Sequence, residues 1–318
     1  MEALSRGPRR SPAPAFASVP RRTACAPGSS SGTAARLRPI LATRATTSLP
    51  VRAIKYLFGR ARWFMGGAAH DAWESVRGKR DPLVPPRRHI FIGGGDFRST
   101  GHAFRQLFVD LGGLSANDDV LDVGSGIGRI AVGLTGFLQG RYEGFDIVGS
   151  GIEWSQRRIT ARYPNFRFQR ADIYNKRYNR KGRWRASEYR FPYEDESFDF
   201  VLLTSVFTHL LPADAENYVG EVGRVRRPGG TCFATFFLLD DGALQRIAEG
   251  RSAPSFHVQG DGYRTIRKGH PEVAVAHRLE TVAGWFDATG LMSRTIYPGS
   301  WSGRSDGTSY QDIVIARR

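Results

Sequence analysis

The sequence has 318 residues, of which 41% are hydrophobic, and this content suffices for one sizeable core with appendages. No apolar run approaches the roughly 20 residues that a membrane-spanning helix needs. The two cysteines, Cys25 and Cys232, exclude a disulfide framework, no metal-ligand spacing is present, and a cytoplasmic location is expected.

The net charge of +16 belongs mainly to the N-terminal part of the chain. Residues 1–90 hold 17 Lys and Arg against 4 Asp and Glu, whereas residues 91–318 hold 29 against 26. A basic arm binds phosphates without sequence preference, but a solvated tail explains the same charge. The body of the protein is therefore expected to be close to neutral, and nucleic acid is not predicted as a partner.

Residues 1–50 have the composition of a segment that does not fold by itself. Glu2 is their only acid and Phe16 their only aromatic residue, so little apolar surface is available to offset the ordering entropy. The Arg- and Ser-rich, acid-poor composition also fits an organelle transit peptide, which would change the expected location. A disordered basic tail and a start codon assigned too early are the other interpretations.

Residues 51–98 are predicted to form a basic amphipathic helix followed by a proline-rich linker. Apolar residues recur at helical spacing over 51–66, with Arg and Lys between them. Such a helix can lie on an anionic membrane surface or pack its apolar face on the main domain, and we favour the second. Pro82, Pro85 and Pro86 then disfavour helix in the residues before them.

From residue 99 onward, apolar strands alternate with helices. Strands are predicted at 119–123, 142–147, 166–173, 198–204, 231–238, 292–297 and 310–316, and helices at 103–111, 129–138, 152–162, 213–225 and 277–288. Alternation at this spacing predicts an α/β domain over 99–318, with a mostly parallel sheet covered by helices on both faces. Two insertions, near 174–190 and 240–277, interrupt the pattern.

The strongest motif is an apolar strand that runs into a glycine-rich turn and then a helix, V-L-D-V-G-S-G-I-G-R at 120–129. The turn holds Gly124, Ser125, Gly126 and Gly128. Glycine permits close approach of a ligand, and the helix N-terminus offers N–H groups to a carboxylate or phosphate. Asp122, two residues before the first glycine, suits an ammonium group and repels a pyrophosphate. Arg129 stands where a dinucleotide fingerprint has its third glycine, which disfavours a nicotinamide oxidoreductase.

Acidic residues end the next two predicted strands. Asp146 ends the second strand, about 20 residues after the turn, where a carboxylate can accept both hydroxyls of a ribose, and Ile147 follows it. Asp172 ends the third strand, where it can accept from an adenine amino group while Ile173 lies against the ring. A ligand across the carboxyl ends of the strands would meet both acids.

Together these motifs resemble the class I S-adenosylmethionine-dependent methyltransferase superfamily over residues 99–318. The resemblance implies a Rossmann-like, doubly wound α/β fold with a seven-stranded, mostly parallel sheet whose last strand is antiparallel. It also implies S-adenosyl-L-methionine as cofactor. F-P-Y at 191–193 and R-P-G-G at 227–230 resemble segments common in small-molecule methyltransferases of the superfamily. The implied reaction is in-line transfer of a methyl group to an O or N atom.

The acceptor side is expected after the fourth strand, in T-S-V-F-T-H-L at 204–210. Ser205 and Val206 are expected at the cofactor edge. His209 is the candidate catalytic base, and a structural histidine is the alternative. The segment lacks the Asn/Asp-Pro-Pro-aromatic motif that enzymes methylating exocyclic amines of bases usually carry.

Both insertions are expected to border the acceptor site. Basic and aromatic residues interleave over 174–190, which suits an anionic substrate, stacking on RNA, or a solvated loop. The insertion 240–277 is expected to form a lid with Phe256, His257, Tyr263 and His270. Trp301 is a candidate for lining the same cleft.

The function predicted from the sequence is methyl transfer to a small molecule, anionic if the insertion 174–190 binds it. Contact of the helix at 51–66 with a membrane surface is a further candidate interaction. The alternative is a Rossmann-like module without catalysis that binds nucleic acid or a membrane surface. The intact glycine turn and Asp146 argue against loss of the cofactor.

Overall fold

The structure is a computed structural model that describes residues 81–90 and 95–317. The predictions for residues 1–50 and for the helix at 51–66 therefore lie outside the described residues. The helices are α1 (Phe97–Asp110), α2 (Arg129–Leu134), α3 (Gly149–Ser155), α4 (Pro212–Val225), α5 (Asp241–Ala248) and α6 (Leu279–Ala288). Within the described ranges, no helix is long and apolar enough to cross a membrane.

Eleven strands lie between and after these helices in the described part of the chain. They are β1 (Val120–Val123), β2 (Tyr142–Asp146), β3 (Phe166–Arg170), β4 (Phe198–Leu203), β5 (Arg226–Phe236), β6 (Leu238–Leu239), β7 (Val258–Gln259), β8 (Tyr263–Thr265), β9 (Val275–Arg278), β10 (Ser293–Tyr297) and β11 (Asp312–Arg317). Seven of them form the central sheet, in the order β10-β11-β5-β4-β1-β2-β3.

The central sheet confirms the predicted topology. Strands β1 to β5 pair in parallel, and β11 is antiparallel to β5. The strand order reverses at β1, which has β2 on one side and β4 on the other. In open sheets of this kind, ligands bind outside the carboxyl ends of the strands at such a reversal.

Two hydrophobic clusters cover the two faces of the sheet because alternate strand residues point to opposite sides. Val120 packs with residues of α1, α2 and α3, whereas Leu121 and Val123 pack with residues of α4 and α6. On the first face, α1 and α2 are in backbone contact. A Cβ added to Gly133 would lie 2.2 Å from the carbonyl oxygen of Gly101, so no side chain fits between these helices.

Some element boundaries differ from the predicted ones for local reasons. Helix α1 begins at Phe97 instead of 103, because the Asp96 carboxylate caps it by accepting the Ser99 N–H at 2.8 Å. Strand β5 begins at Arg226 instead of 231, and a register shift in its pairing with β4 between Phe198 and Phe200 accommodates the extra residues.

A second sheet, which the sequence analysis did not predict, is formed by the insertion 240–277 and the residues that flank it. Its strand order is β6-β9-β8-β7. Residues 275–278, which include the start of a predicted helix, form β9 instead. His277 is fully buried there, its N–H donates to the carbonyl oxygen of Phe237, and its ring packs against Trp285 at 5.3 Å between centroids. Burial between two elements overrides the local helical pattern.

Candidate functional site

A cleft of about 1570 Å³ opens where the central strands end. Ser125 follows β1, Asp146 ends β2 and Ser205 follows β4, and all three line the cleft. Its other walls are the N-terminal half of α1, the insertion near 174–190, the segment 266–273 and the turn before β11. The cleft therefore occupies the position at which this topology binds ligands.

The glycine turn is held closely by neighbouring segments. Gly124 has φ +80°, and a Cβ there would lie 2.6 Å from Val206 Cγ2. Gly128 has φ +77°, and its Cβ would lie 2.6 Å from Ile159 Cδ1. Protein side chains thus already fill the space beside these glycines, and the left-handed backbone adds a second reason for glycine. Gly126 and Gly128 are not among the residues that line the cleft.

Asp146 lies at the cleft with its carboxylate oriented by two backbone groups. Its Oδ2 accepts the Gly126 N–H at 2.8 Å, and its Oδ1 accepts the Val148 N–H at 2.8 Å. Burial raises the pKa of Asp146, and these hydrogen bonds oppose the rise. Each carboxylate oxygen keeps a further lone pair for a ligand hydroxyl. Nearby, Ser125 Oγ is buried and has no hydrogen-bond partner among the described residues, so it fits a polar group of a ligand.

Asp122 lies behind the residues that line the cleft. Its carboxylate is fully buried beneath the turn, does not line the cleft, and accepts a hydrogen bond from the Tyr142 hydroxyl. This hydrogen bond is a structural contact between β1 and β2. The other carboxylate oxygen, Oδ1, is buried and has no hydrogen-bond partner among the described residues, so contact with an ammonium group of a ligand stays a prediction. Burial raises the pKa of Asp122 to about 7, and the hydrogen bond from Tyr142 opposes this rise.

This buried carboxyl predicts a pH dependence of stability. Its pKa is about 7 in the folded protein and 3.8 in the ordinary reference state, so its contribution is complete below pH 3.8 and is lost as the pH rises through 7. Asp122→Asn keeps an acceptor for Tyr142 but cannot ionise. Between pH 5 and pH 8, the unfolding free energy of Asp122→Asn should rise relative to the parent by about 1 kcal/mol or more, measured by urea unfolding. A difference that is the same at both pH values would contradict the assignment.

Asp172 is placed differently from the prediction. Its side chain is exposed and does not line the cleft, and its backbone oxygen accepts the N–H groups of Arg183 and Trp184 at 3.0 Å. Strand β3 ends at Arg170, so Asp172 belongs to the segment that leads into the insertion and not to the strand. Ile147 and Ile173 do line the cleft, so apolar contact with an adenine ring stays a prediction.

His209 lines the acceptor side of the cleft. Its Nδ1 lies 2.9 Å from the carbonyl oxygen of Glu272. Because a carbonyl oxygen only accepts, Nδ1 carries the proton and Nε2 keeps a lone pair. Desolvation lowers the pKa of His209 below its ordinary value, and the ring is neutral at pH 7. This is the state that a general base requires.

The predicted lid is only partly at the cleft. Of its four residues, His270 lines the cleft and Phe256 is fully buried in a third hydrophobic cluster. Trp301 packs against Phe256 at 5.3 Å between centroids, and its Nε1–H donates to the buried Asp312 carboxylate at 2.6 Å. Trp301 therefore belongs to the core of the insertion instead of the cleft.

Several cleft residues were missed by the sequence analysis. Arg129 lines the cleft and lies over the Phe97 ring at 5.4 Å, although the sequence showed it only as the absence of a third glycine. Tyr218 and Asp214 come from α4, and Gln311 comes from the turn before β11. The sequence offered no signal for these three, because only the tertiary fold brings their segments to the ends of the parallel strands.

Comparison with known proteins agrees with this site. Residues 121–234 match the methyltransferase domain family. The tRNA N(3)-cytidine methyltransferase METTL2 of Gallus gallus is 27% identical over 171 residues, which covers 50% of this chain and 41% of the relative. The protein of the same name from Danio rerio is 29% identical over 107 residues, which covers 33% of this chain and 30% of the relative. The chain thus spans less than half the length of both relatives.

Among solved structures, the PH0226 protein of Pyrococcus horikoshii has a TM-score of 0.47 at 16% identity, with 72% of this chain and 94% of that chain covered. The sequence analysis did not predict nucleic acid as a partner, and the two tRNA methyltransferase relatives show that this prediction is wrong. The domain match spans the glycine turn, Asp146 and the strands as far as Ala234 in β5. The cofactor of this domain is S-adenosylmethionine. Residues 121–234 therefore carry a methyltransferase domain, and over this range the resemblance to the class I S-adenosylmethionine-dependent methyltransferase superfamily is confirmed.

Proposed function

We propose that this protein transfers the methyl group of S-adenosylmethionine to a base of RNA. The observation that carries the proposal is a basic and aromatic side of the cleft, residues 174–185, which we call the basic wall. It holds six Lys and Arg and no Asp or Glu. The similarity to two tRNA cytidine methyltransferases supports the same class of acceptor.

The basic wall has a backbone that is ordered by its own hydrogen bonds. Asn175 and Asn179 exchange N–H···O bonds of 2.9 and 3.0 Å, and the Tyr174 N–H donates to the Trp184 carbonyl oxygen at 2.7 Å. The buried Asn179 side chain donates to the carbonyl oxygen of Ile173 at 2.9 Å. A ligand therefore meets side chains on a preformed backbone, which reduces the ordering cost of binding.

The side chains on this wall suit a single strand of nucleic acid. Four cations of the basic wall line the cleft: Lys176, Arg177, Arg180 and Arg185. Tyr174 and Tyr178 are 50% and 38% exposed, and the Arg177 guanidinium lies 5.1 Å from the Tyr178 ring centroid. Exposed rings stack on bases and the cations bind phosphates. At about 1570 Å³, the cleft exceeds the range of about 300–1000 Å³ typical of one small ligand, which leaves room for a base beside the cofactor.

The residues present fit the cofactor. Asp146 would hold the ribose hydroxyls, Ile147 and Ile173 the adenine ring, and Ser125 with the glycine turn the methionine part. S-adenosylmethionine supplies a methyl carbon that its sulfonium has already activated. The protein contributes alignment of the acceptor and exclusion of water. A ring nitrogen with a free lone pair attacks without losing a proton, whereas an amine acceptor would pass its proton to Nε2 of the neutral His209.

Methyl-labelled S-adenosylmethionine tests the proposal directly. The full chain is incubated with the total RNA of a cell extract and, separately, with the small-molecule fraction of the same extract. We expect label in RNA that becomes soluble after nuclease digestion. Label in the small-molecule fraction alone would replace RNA by a small-molecule acceptor, and no label in either fraction would contradict the methyltransferase activity itself.

The basic wall makes a separate prediction about RNA binding. Arg177→Ala with Arg180→Ala should weaken binding of a labelled single-stranded 20-mer RNA by about tenfold in 0.15 M salt and lower the slope of log K against log salt by about 1.4. The measurement is fluorescence anisotropy over a salt series. Arg157→Ala with Arg158→Ala is the control, because it removes the same charge from exposed positions of a π-helical segment outside the cleft. Equal losses in both variants would show that binding follows net charge instead of the wall.

A further inference from the structure

Ser205 has a backbone conformation that is unusual for its residue type. It lies two residues after β4, at the cleft, and has φ +60°, in the left-handed region that favours glycine. Backbone strain of this kind concentrates at functional sites. The conformation is held by the Ser205 N–H, which donates to Thr235 Oγ1 at 2.7 Å.

The same hydrogen bond begins a chain that ends at Gln311. Thr235 is buried on β5, and its Oγ1 lies 2.6 Å from Gln311 Oε1. The Ser205 hydroxyl also donates to Gln311 Oε1, at 3.0 Å. Because Gln311 Oε1 can only accept a hydrogen bond, the hydrogen of the Thr235 hydroxyl is directed to it. Two donors therefore bind the carbonyl side of the Gln311 amide and define its orientation.

The amide nitrogen of Gln311 is then the group left for a ligand. Gln311 lines the cleft, and no described residue accepts a hydrogen bond from its Nε2. Val206, the neighbour of Ser205, lies against the glycine turn, since a Cβ on Gly124 would be 2.6 Å from Val206 Cγ2. The chain of hydrogen bonds therefore lies at the end of the cleft that adjoins the glycine turn, where the methyl acceptor must approach.

We propose that Gln311 orients the acceptor by donating from Nε2 to a carbonyl oxygen next to the atom that is methylated. This inference rests on the proposed function and deepens it. It favours a base with a carbonyl beside a ring nitrogen, as in a pyrimidine with its O2, over a base without one. Ser205 and Thr235 are positioning residues, because they act through the orientation of the Gln311 amide.

The decisive variant is Gln311→Glu. The introduced carboxylate has nearly the same size and still accepts from the Ser205 and Thr235 hydroxyls, so the contacts between β4, β5 and the turn before β11 are kept. It cannot donate, and it meets a carbonyl oxygen with a negative charge. We expect kcat/KM for the acceptor to fall by about tenfold or more, while the Kd for S-adenosylhomocysteine and the Tm change little.

Two variants of Thr235 test whether Gln311 orients the acceptor or only supports the contact between the strands. Thr235→Val removes the hydroxyl that directs the amide, and kcat/KM should fall, whereas Thr235→Ser keeps the hydroxyl and should restore most of it. If Gln311 only braced the strands, Gln311→Glu would act like the parent protein and only Gln311→Leu would lose activity and Tm. That outcome would overturn the inference.

The acceptor for these assays is the fraction, RNA or small-molecule, that the parent full chain labels. Label in RNA together with parent-like activity of Gln311→Glu would overturn the orienting role and leave the proposed function standing. Label only in the small-molecule fraction would overturn the RNA acceptor, and the Gln311→Glu result on that fraction would still decide the orienting role. No label in either fraction would overturn both.

Discussion

Gly133→Ala is expected to lower the free energy of unfolding by about 3 kcal/mol, the largest stability effect we predict for a single methyl group. The added Cβ would lie 2.2 Å from the carbonyl oxygen of Gly101 and 2.3 Å from its carbonyl carbon. These atoms belong to the backbone of α1, so no rotamer change can relieve the overlap and the helices must separate. Urea unfolding monitored by tryptophan fluorescence measures the effect.

Gly220→Ala is the matched control for this prediction. Gly220 also lies inside a helix, α4, but a Cβ there has no atom within 4 Å. The control should be unchanged or more stable by about 0.5–1 kcal/mol, since alanine loses less conformational freedom than glycine on folding. If both variants were equally stable, α1 and α2 would not be in backbone contact. The part of α1 that lines the cleft would then lie farther from α2.

Asp146→Ala is expected to weaken S-adenosylhomocysteine binding by about 1–3 kcal/mol, because charge-assisted hydrogen bonds to the ribose hydroxyls would be lost. The Gly126 N–H would also lose its acceptor, which loosens the glycine turn. Isothermal titration calorimetry with the full chain measures the change. Since burial raises the pKa of Asp146, the affinity of the parent protein should fall as the pH is lowered through that value.

The control for Asp146 is Asp172→Ala. The sequence pattern assigns both acids to the cofactor, but only Asp146 lines the cleft, so Asp172→Ala should change the affinity by less than about twofold. Circular dichroism shows that both variants are folded. A large loss of affinity in Asp172→Ala would show that Asp172 contacts the cofactor. Unchanged affinity in folded Asp146→Ala would show that Asp146 does not.

The order and type of the central elements could be predicted because each carries a strong local pattern. Strand β4, with residues such as Val201 and Leu203 buried on one face and Phe200 and Leu202 on the other, is a continuous apolar run, as expected for a strand covered on both sides. The antiparallel last strand followed from family resemblance and not from periodicity. The second sheet was missed because β6, β7 and β8 have two or three residues each, too few for a period to show.

The sequence by itself determined the class of the protein. Three local patterns carried this information: the glycine turn at 120–129, the acid that ends β2, and the alternation of strands and helices. They depend on residues that are near neighbours in the chain, so they can be recognised in the sequence alone. Only the tertiary structure decided which polar groups reach the cleft. Asp122 and Asp172 lie close to the carboxyl ends of strands, as Asp146 does, yet Asp122 is buried against Tyr142 and Asp172 is exposed to solvent. Gln311 reaches Ser205, 106 residues away, because β11 and β4 both pair with β5.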